Sequence, residues 1–213
     1  MQLVEIVSSH QNMTKITITP LDTKDTEKAI EILFAAFEQD PLMRYFFGNE
    51  YQNLAKHLMQ YICNLTAISD SLLWGAFIEG ELKGVAMITP AEIVERNKQE
   101  IAQIEEQLAI AVGAAIARIE RYLQVKEANK PKQPHFYLDV LGVSPESQGQ
   151  GVGKALIEKL HQMSEKSTQS CGVALDTENE RNLDFYCGLG YSVSTTTDLD
   201  EVKIWSMFRP DPS

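Results

Sequence analysis

A glycine-rich stretch between two regular elements is the part of the sequence best suited to bind a ligand. Residues 143–156 are VSPESQGQGVGKAL, in which a strand pattern ends at Val143 and an amphipathic helix pattern begins near Gly153. Glycines allow positive φ angles and a close approach of the backbone to a ligand. The free N–H groups and the dipole at a helix start attract anions. The stretch therefore predicts an anion site, most simply for a pyrophosphate.

Two well-known phosphate-binding loops do not fit this stretch. A Walker A loop requires Ser or Thr after its lysine, whereas Lys154 is followed by Ala155. A dinucleotide fingerprint requires three glycines in the order GxGxxG. If it starts at Gly149, the third glycine falls on Lys154, and if it starts at Gly151, it falls on Leu156. A nucleotide-dependent kinase or dehydrogenase is therefore disfavoured.

The positions of Gln148, Gly151 and Gly153 are similar to the acetyl-CoA signature of the GNAT superfamily of N-acetyltransferases, Gln/Arg-x-x-Gly-x-Gly/Ala. Over residues 134–208 the chain resembles the puromycin-acetyltransferase-like branch of that superfamily, in the runs PHFYLDVLGVSPESQGQGVG and LDTENERNLDFYCGLGY. The resemblance implies an α/β (α+β) fold with a mixed, mostly antiparallel sheet, splayed near residues 141–143, and helices on both faces. It also implies acetyl-CoA as co-substrate, with no metal.

The resemblance assigns roles to particular residues. Backbone N–H groups would hold the pyrophosphate at Gln148, Gly149, Gln150, Gly151, Val152, Gly153 and Lys154. The pantetheine arm would bind as an added strand along Leu141, Gly142 and Val143. Asn182 would contact the cofactor, and Tyr186 would return a proton to the leaving thiolate as general acid.

The sequence leaves more than one candidate for the group that deprotonates the amine. Strict strand alternation places Tyr137, Asp139, Leu141 and Val143 on one face, where Asp139 is the carboxylate near the reaction. His135, acting through water, and a water chain without a single base are the alternatives.

The amino-acid composition limits the kinds of partner that we expect for this chain. The formal net charge is −11, from 30 acidic and 19 basic side chains, which argues against nucleic acid and favours a cationic or neutral small substrate. No run approaches the roughly 20 apolar residues that span a bilayer, and no secretory signal is visible. Three cysteines without a metal-binding spacing are typical of a reducing compartment. We expect a cytoplasmic protein without a membrane partner, and we leave a homodimer open.

The predicted elements form one domain over residues 14–213, after an N-terminal extension over residues 1–13. Apolar periodicity predicts helices that start after Asp25 and at Tyr51, with Pro41 ending the first of them and residues 42–47 as an apolar connector. Residues 91–130 form a helical insertion that breaks near Gly113. Strands are expected at 15–19, 72–78, 82–89, 135–143, 172–175, 191–195 and 202–208, and further helices at 153–166 and 179–189.

The expected substrate is a small-molecule amine, in a pocket between residues 41–47 and the start of the insertion. Tyr45, Phe46 and Phe47 would supply aromatic faces for an ammonium group, and Glu92 and Glu95 would supply charge. Two alternatives keep the fold but change the function: an acyl-CoA-binding sensor or scaffold without turnover, and a protein or peptide N-acetyltransferase.

Overall fold

A seven-stranded sheet organises the chain in the computed structural model, which describes residues 15–92 and 97–212. The strand order is β1-β2-β3-β4-β5-β7-β6, and every neighbouring pair is antiparallel except β4–β5. The strands are β1 (Ile16–Pro20), β2 (Leu72–Ile78), β3 (Glu81–Thr89), β4 (Phe136–Val143), β5 (Gly172–Thr177), β6 (Ser192–Leu199) and β7 (Val202–Pro210). The prediction of a mixed, mostly antiparallel sheet is confirmed.

Helices cover both faces of this sheet, as predicted. They are α1 (Thr26–Ala36), α2 (Pro41–Phe47), α3 (Tyr51–Ile68), α4 (Lys98–Val112), α5 (Ile116–Asn129), α6 (Val152–Lys166) and α7 (Leu183–Gly188). Consecutive residues of β3 belong to different cores: Val85 packs with α1–α5, and Ala86 packs with α6 and α7. Strand alternation explains this, because neighbouring side chains point to opposite faces.

Residues 42–47 are not a connector, so that prediction is wrong. They belong to α2, whose first residue is Pro41 and whose N-cap is Asp40. The Asp40 carboxylate accepts the N–H of Leu42 at 2.9 Å and of Met43 at 3.4 Å. Proline is favourable at this position because its fixed φ suits a helix and its missing N–H is not needed there. The proline therefore starts a helix here.

The helical insertion breaks where glycine was expected to break it. α4 ends at Val112, Gly113 has φ = 55°, and α5 begins at Ile116. The two helices then pack at different places, α4 on α3 and α5 against α2 and β6. The N-terminal extension over residues 1–13 lies outside the described residues. Among the helices described, none is long and apolar enough to cross a membrane.

Candidate active site

The sheet splits between its two parallel strands. β4 and β5 are paired only from Phe136 to Leu138 on β4, opposite Val173 to Leu175 on β5. Beyond Leu138, β4 keeps its pairing with β3 but has an open edge on the other side. This edge covers residues 139–143, about 16 Å of extended chain. A strand-like ligand could add to it, which is what the resemblance implies for residues 141–143.

A β-bulge lies at the point where the strands separate. Met87 is opposite Val140 and Ile88 is opposite Leu138, so Asp139 is an extra residue on β4. The bulge reverses the alternation: Asp139 faces Lys126 of α5, whereas Leu141 and Val143 pack in the α6 core. The prediction that these three residues share one face of the strand is therefore wrong.

The glycine-rich loop presents backbone donors at the end of β4. Gly149 and Gly151 have φ angles of 76° and 84°, which disfavour any other residue. Gln148 and Gln150 donate their N–H groups inside the loop, to Pro145 and Ser147. The other loop amides find no protein partner within residues 15–92 and 97–212; they belong to Gly149, Gly151, Val152, Gly153 and Lys154. Five free donors at a helix start fit a pyrophosphate group.

The start of α6 is fixed by close packing on the sheet. Val152 is buried, and a Cβ on Gly84 of β3 would lie 2.6 Å from its Cγ1 atom. On β4, a Cβ on Gly142 would lie 2.7 Å from the Cδ2 atom of Leu33, so glycine also lets α1 approach this strand. The loop and the open strand edge are therefore held in fixed relation by side chains from both faces.

A cavity of about 490 Å³ opens beside the open edge of β4. Its walls come from α2, α3, α4, α5, α7 and the ends of β4 and β5, and they are mainly apolar. Within residues 15–92 and 97–212, the charged groups in its wall are six carboxyl groups and one ammonium: Asp40, Glu105, Glu120, Asp139, Asp176, Glu178 and Lys126. This excess of negative charge, in a mainly apolar wall, suits an organic cation.

The predicted pocket segments contribute to this cavity, but mostly through other residues. Phe46 is part of the wall, whereas Tyr45, Phe47 and Glu92 are not, and Glu95 lies outside the described residues. The insertion supplies its glutamates from the middle of α4 and α5 rather than from its start. Periodicity alone could not decide which turn of a long helix faces the sheet.

Tyr186 is buried on α7 and its side chain borders the cavity. Its ring packs edge-on against Tyr191, with centroids 5.9 Å apart. Burial raises the pKa of its hydroxyl above the ordinary value, and the charges of Glu178 and Asp40 raise it further. The hydroxyl therefore stays protonated at neutral pH, the state that a general acid requires.

Asn182 and Asn179 have different positions at the start of α7. Asn182 borders the cavity, and its Nδ2 atom donates to Thr177 Oγ1 at 3.4 Å. Asn179 accepts the N–H of Arg181 as a helix cap. The structure thus places Asn182 beside Tyr186 at the split.

Asp139 borders the cavity, but both of its oxygens are engaged. Thr89 Oγ1 donates to one at 2.6 Å, and Lys126 Nζ donates to the other at 2.7 Å. Both members of the ion pair are largely buried. Breaking a buried pair typically costs about 3–5 kcal/mol, which favours a structural role for this carboxylate. His135 is not part of the cavity wall, and its Nδ1 atom lies 2.7 Å from the carbonyl oxygen of Gln133.

Glu178 is a site residue that sequence reasoning missed. It follows the last residue of β5 and borders the cavity, and its enclosed Oε1 atom has no hydrogen-bond partner in the part of the chain that the structure describes. Burial raises the pKa of its carboxyl to about 8, as do the charges of Asp176 and Asp40, while the Tyr122 hydroxyl and Lys126 act in the opposite direction. In the run DTENER it resembles an ordinary polar turn residue. The sequence pattern that could have identified it is its spacing of two residues from Asp176, because alternate residues of a strand point to the same face.

Comparisons with known proteins agree with this architecture. A family model described as "Acetyltransferase (GNAT) family" matches residues 31–191, which include the split, the loop and Tyr186. A histone acetyltransferase-related acetyltransferase of Corynebacterium glutamicum has a similar structure, with a TM-score of 0.70 and 22% identity over 93% of this chain and 97% of that one. A polyamine N-acetyltransferase of Drosophila melanogaster has a TM-score of 0.66 and 17% identity, over 92% and 100% of the two chains.

Curated relatives match over part of their length. A thialysine N-epsilon-acetyltransferase of Bos taurus is 33% identical over 79 residues, which are 37% of this chain and 44% of that protein. A Dictyostelium discoideum protein described as a serine/threonine-protein kinase is 21% identical over 92% of this chain. The chain spans 23% of that protein's length.

Proposed function

This chain belongs to the acetyltransferase (GNAT) family, and we propose that it transfers the acetyl group of acetyl-CoA to a primary amine of a small molecule. The transfer is a direct attack within a ternary complex, so no cysteine nucleophile is needed. One observation carries the proposal: the open edge of β4 leads from five free loop amides to a cavity rich in carboxylates.

Acetyl-CoA supplies an acetyl thioester, and the chain supplies its binding surface. The N–H groups of the glycine-rich loop and the dipole of α6 hold the pyrophosphate. The open edge of β4 at residues 141–143 hydrogen-bonds the pantetheine arm as an added strand. A backbone N–H of this edge also polarises the thioester carbonyl, a contribution of the oxyanion-hole kind.

The cavity beside that edge holds the acceptor. Its carboxylates attract a cationic amine, and its apolar wall accommodates the carbon chain that carries it. The names of two similar proteins, a thialysine N-epsilon-acetyltransferase and a polyamine N-acetyltransferase, also point to small amines. The net charge of −11 adds a general attraction for cations.

Tyr186 completes the reaction as general acid. When the amine nitrogen bonds to the acetyl carbon, the carbon–sulfur bond breaks and coenzyme A leaves as a thiolate. The protonated hydroxyl of Tyr186, at the cavity wall beside the split, returns a proton to that sulfur.

An acetyl-transfer assay tests this function. The purified protein is mixed with acetyl-CoA and each member of a panel of amines, diamines, amino acids and short peptides. We expect thiol release that depends on a small amine, with the N-acetylated product identified by mass spectrometry. The N-acetylated form of the best amine serves as the negative control. Acetyl-CoA binding without thiol release for any acceptor would support the non-catalytic sensor instead.

A further inference from the structure

Acetyl transfer to an alkylamine requires a proton acceptor at the site. An amine attacks through a free electron pair, but an alkylamine with a pKa near 10.4 arrives at neutral pH mainly as an ammonium ion. The identity of this proton acceptor rests on the proposed function, because it concerns the same reaction at the same cavity. The carboxylates of the cavity wall are the candidates.

Three of the buried carboxylates are already occupied. Asp139 accepts from Thr89 and Lys126. Asp176 accepts the hydroxyl of Tyr137. Asp40 caps α2 by accepting two backbone N–H groups. Each of these three carboxylates is therefore already committed to a partner within the fold.

Two further carboxylates of the cavity wall do not lie beside the split. Glu105 and Glu120 are exposed on α4 and α5, at the solvent side of the cavity. Water surrounds them, whereas the thioester would lie along the open edge of β4. They can attract a cation, but they are not beside the split.

Glu178 differs from these carboxylates both in its partners and in its position. It follows the end of β5, the strand that separates from β4 at the split, and it borders the same cavity as Tyr186. Its Oε1 atom is enclosed and has no hydrogen-bond partner among the described residues, so its acceptor position is unfilled. We propose that Glu178 is the catalytic residue that accepts the proton of the acceptor amine, through Oε1.

The proton balance of the reaction then closes within the site. The ammonium gives one proton to Glu178, and its nitrogen bonds to the acetyl carbon as the carbon–sulfur bond breaks. Tyr186 protonates the thiolate, and the second proton that leaves the nitrogen restores the tyrosine, directly or through water. Glu178 returns its proton to solvent when the products leave. No oxidant, reductant or further reactant is needed.

The electrostatic surroundings of Glu178 suit this role. With a pKa of about 8, the Glu178 carboxylate binds a proton more tightly than an ordinary carboxylate, so it can take one from an ammonium ion. The fraction of Glu178 in its basic form increases as the pH rises through that value. The groups that act on it come from every element around it: Asp176 of β5, Asp40 before α2, Tyr122 and Lys126 of α5, Tyr137 of β4 and Tyr186 of α7.

The test is the pH profile of kcat/KM for Glu178→Gln, measured with an alkylamine from about pH 6 to about pH 10. The wild-type profile should contain a rising limb with a pKa of about 8. The variant should lose this limb and fall by about 10²–10⁴-fold at its maximum. An amine that is already neutral at the assay pH, such as an alkoxyamine, should react with wild-type and variant protein at similar rates.

Controls separate this inference from folding defects and from the proposed function. Glu180→Gln changes an exposed glutamate two residues away and should leave the profile unchanged. Glu178→Asp keeps the carboxylate and should keep the limb at a reduced rate, and acetyl-CoA should still raise the melting temperature of each variant. An active wild type with an unchanged limb in Glu178→Gln would overturn the inference alone. A wild type that acetylates no amine would contradict the proposed function, and the inference with it.

Discussion

The hydroxyl of Tyr186 is held in its protonated form by its surroundings. It is buried, and the charges of Glu178 and Asp40 also disfavour a phenolate. A general acid must keep its proton until the leaving group develops negative charge, and these surroundings ensure that. At the residue scale, the proposed role of Tyr186 therefore depends on its hydroxyl oxygen.

Replacing Tyr186 with Phe removes that oxygen and keeps the ring packing. We expect kcat to fall by about 10²–10⁴-fold, with the affinity for acetyl-CoA nearly unchanged. Steady-state kinetics together with a binding titration measure the two effects. Tyr191→Phe is the matched control, because its ring packs against Tyr186 but its hydroxyl bonds His161 outside the cavity. Full activity in Tyr186→Phe would remove this residue from the mechanism.

At the scale of the element, the proposed binding surface lies at the junction of β4, the loop and α6. β4 loses its parallel neighbour after Leu138, and the bulge at Asp139 turns the carboxylate toward Lys126. Near the start of α6, five amides of the loop then have no partner among the described residues. Because Gly84 lets Val152 pack closely on β3, the donors of this helix start are held in place before any ligand binds.

Gly151→Glu should abolish the rise in melting temperature that acetyl-CoA causes in the wild type. The substitution places bulk and negative charge where the phosphates would lie, and it strains a residue with φ = 84°. Thermal unfolding with and without acetyl-CoA measures the effect.

Gly80→Glu is the matched control for this substitution. Gly80 also has φ = 84° and no neighbour near the added Cβ, but it lies in the turn between β2 and β3. Both variants should lose stability from the same backbone strain, about 1–2 kcal/mol. Only the Gly151 variant should lose the response to acetyl-CoA, and an equal response in both would place the cofactor elsewhere.

At the scale of the whole molecule, the cavity exists because distant segments meet over the split. α2 and α3 from the N-terminal half, the helical insertion and the C-terminal α7 each supply part of its wall. Acidic side chains from these segments accumulate around one apolar space, although they are scattered along the chain. The exposed pair Glu105 and Glu120 forms the outer part of this acidic wall.

Replacing both Glu105 and Glu120 with Gln should raise KM for a diamine more than for a monoamine of equal length. Exposed charge pairs contribute about 0.2–1 kcal/mol each, so the combined change for the diamine should be about two- to thirtyfold. Salt should reduce the difference. Glu106→Gln is the control, because Glu106 follows Glu105 on α4 but is not part of the cavity wall. Equal changes for both amines would show that these charges do not select the acceptor.

The sequence by itself determined the parts of this protein that depend on neighbouring residues. Turn glycines, caps and apolar periodicity predicted the strands, most of the helices and the break at Gly113, because local backbone preferences and burial patterns act over a few residues. The glycine-rich stretch predicted the loop between β4 and α6 for the same reason. The residues of α2 were the exception, since a proline after Asp40 can end one helix or begin the next.

Only the tertiary structure decided which side chains of the site are free to react. Lys126 and Asp139 are 13 positions apart, yet they form a buried ion pair because a bulge turns one toward the helix that carries the other. Glu178 owes its raised pKa to burial and to the charges of Asp176 on its own strand and Asp40 before α2, whereas Tyr122 and Lys126 of α5 act in the opposite direction. Burial and the distances between charges set proton affinity, and both are properties of the folded chain rather than of any segment of it.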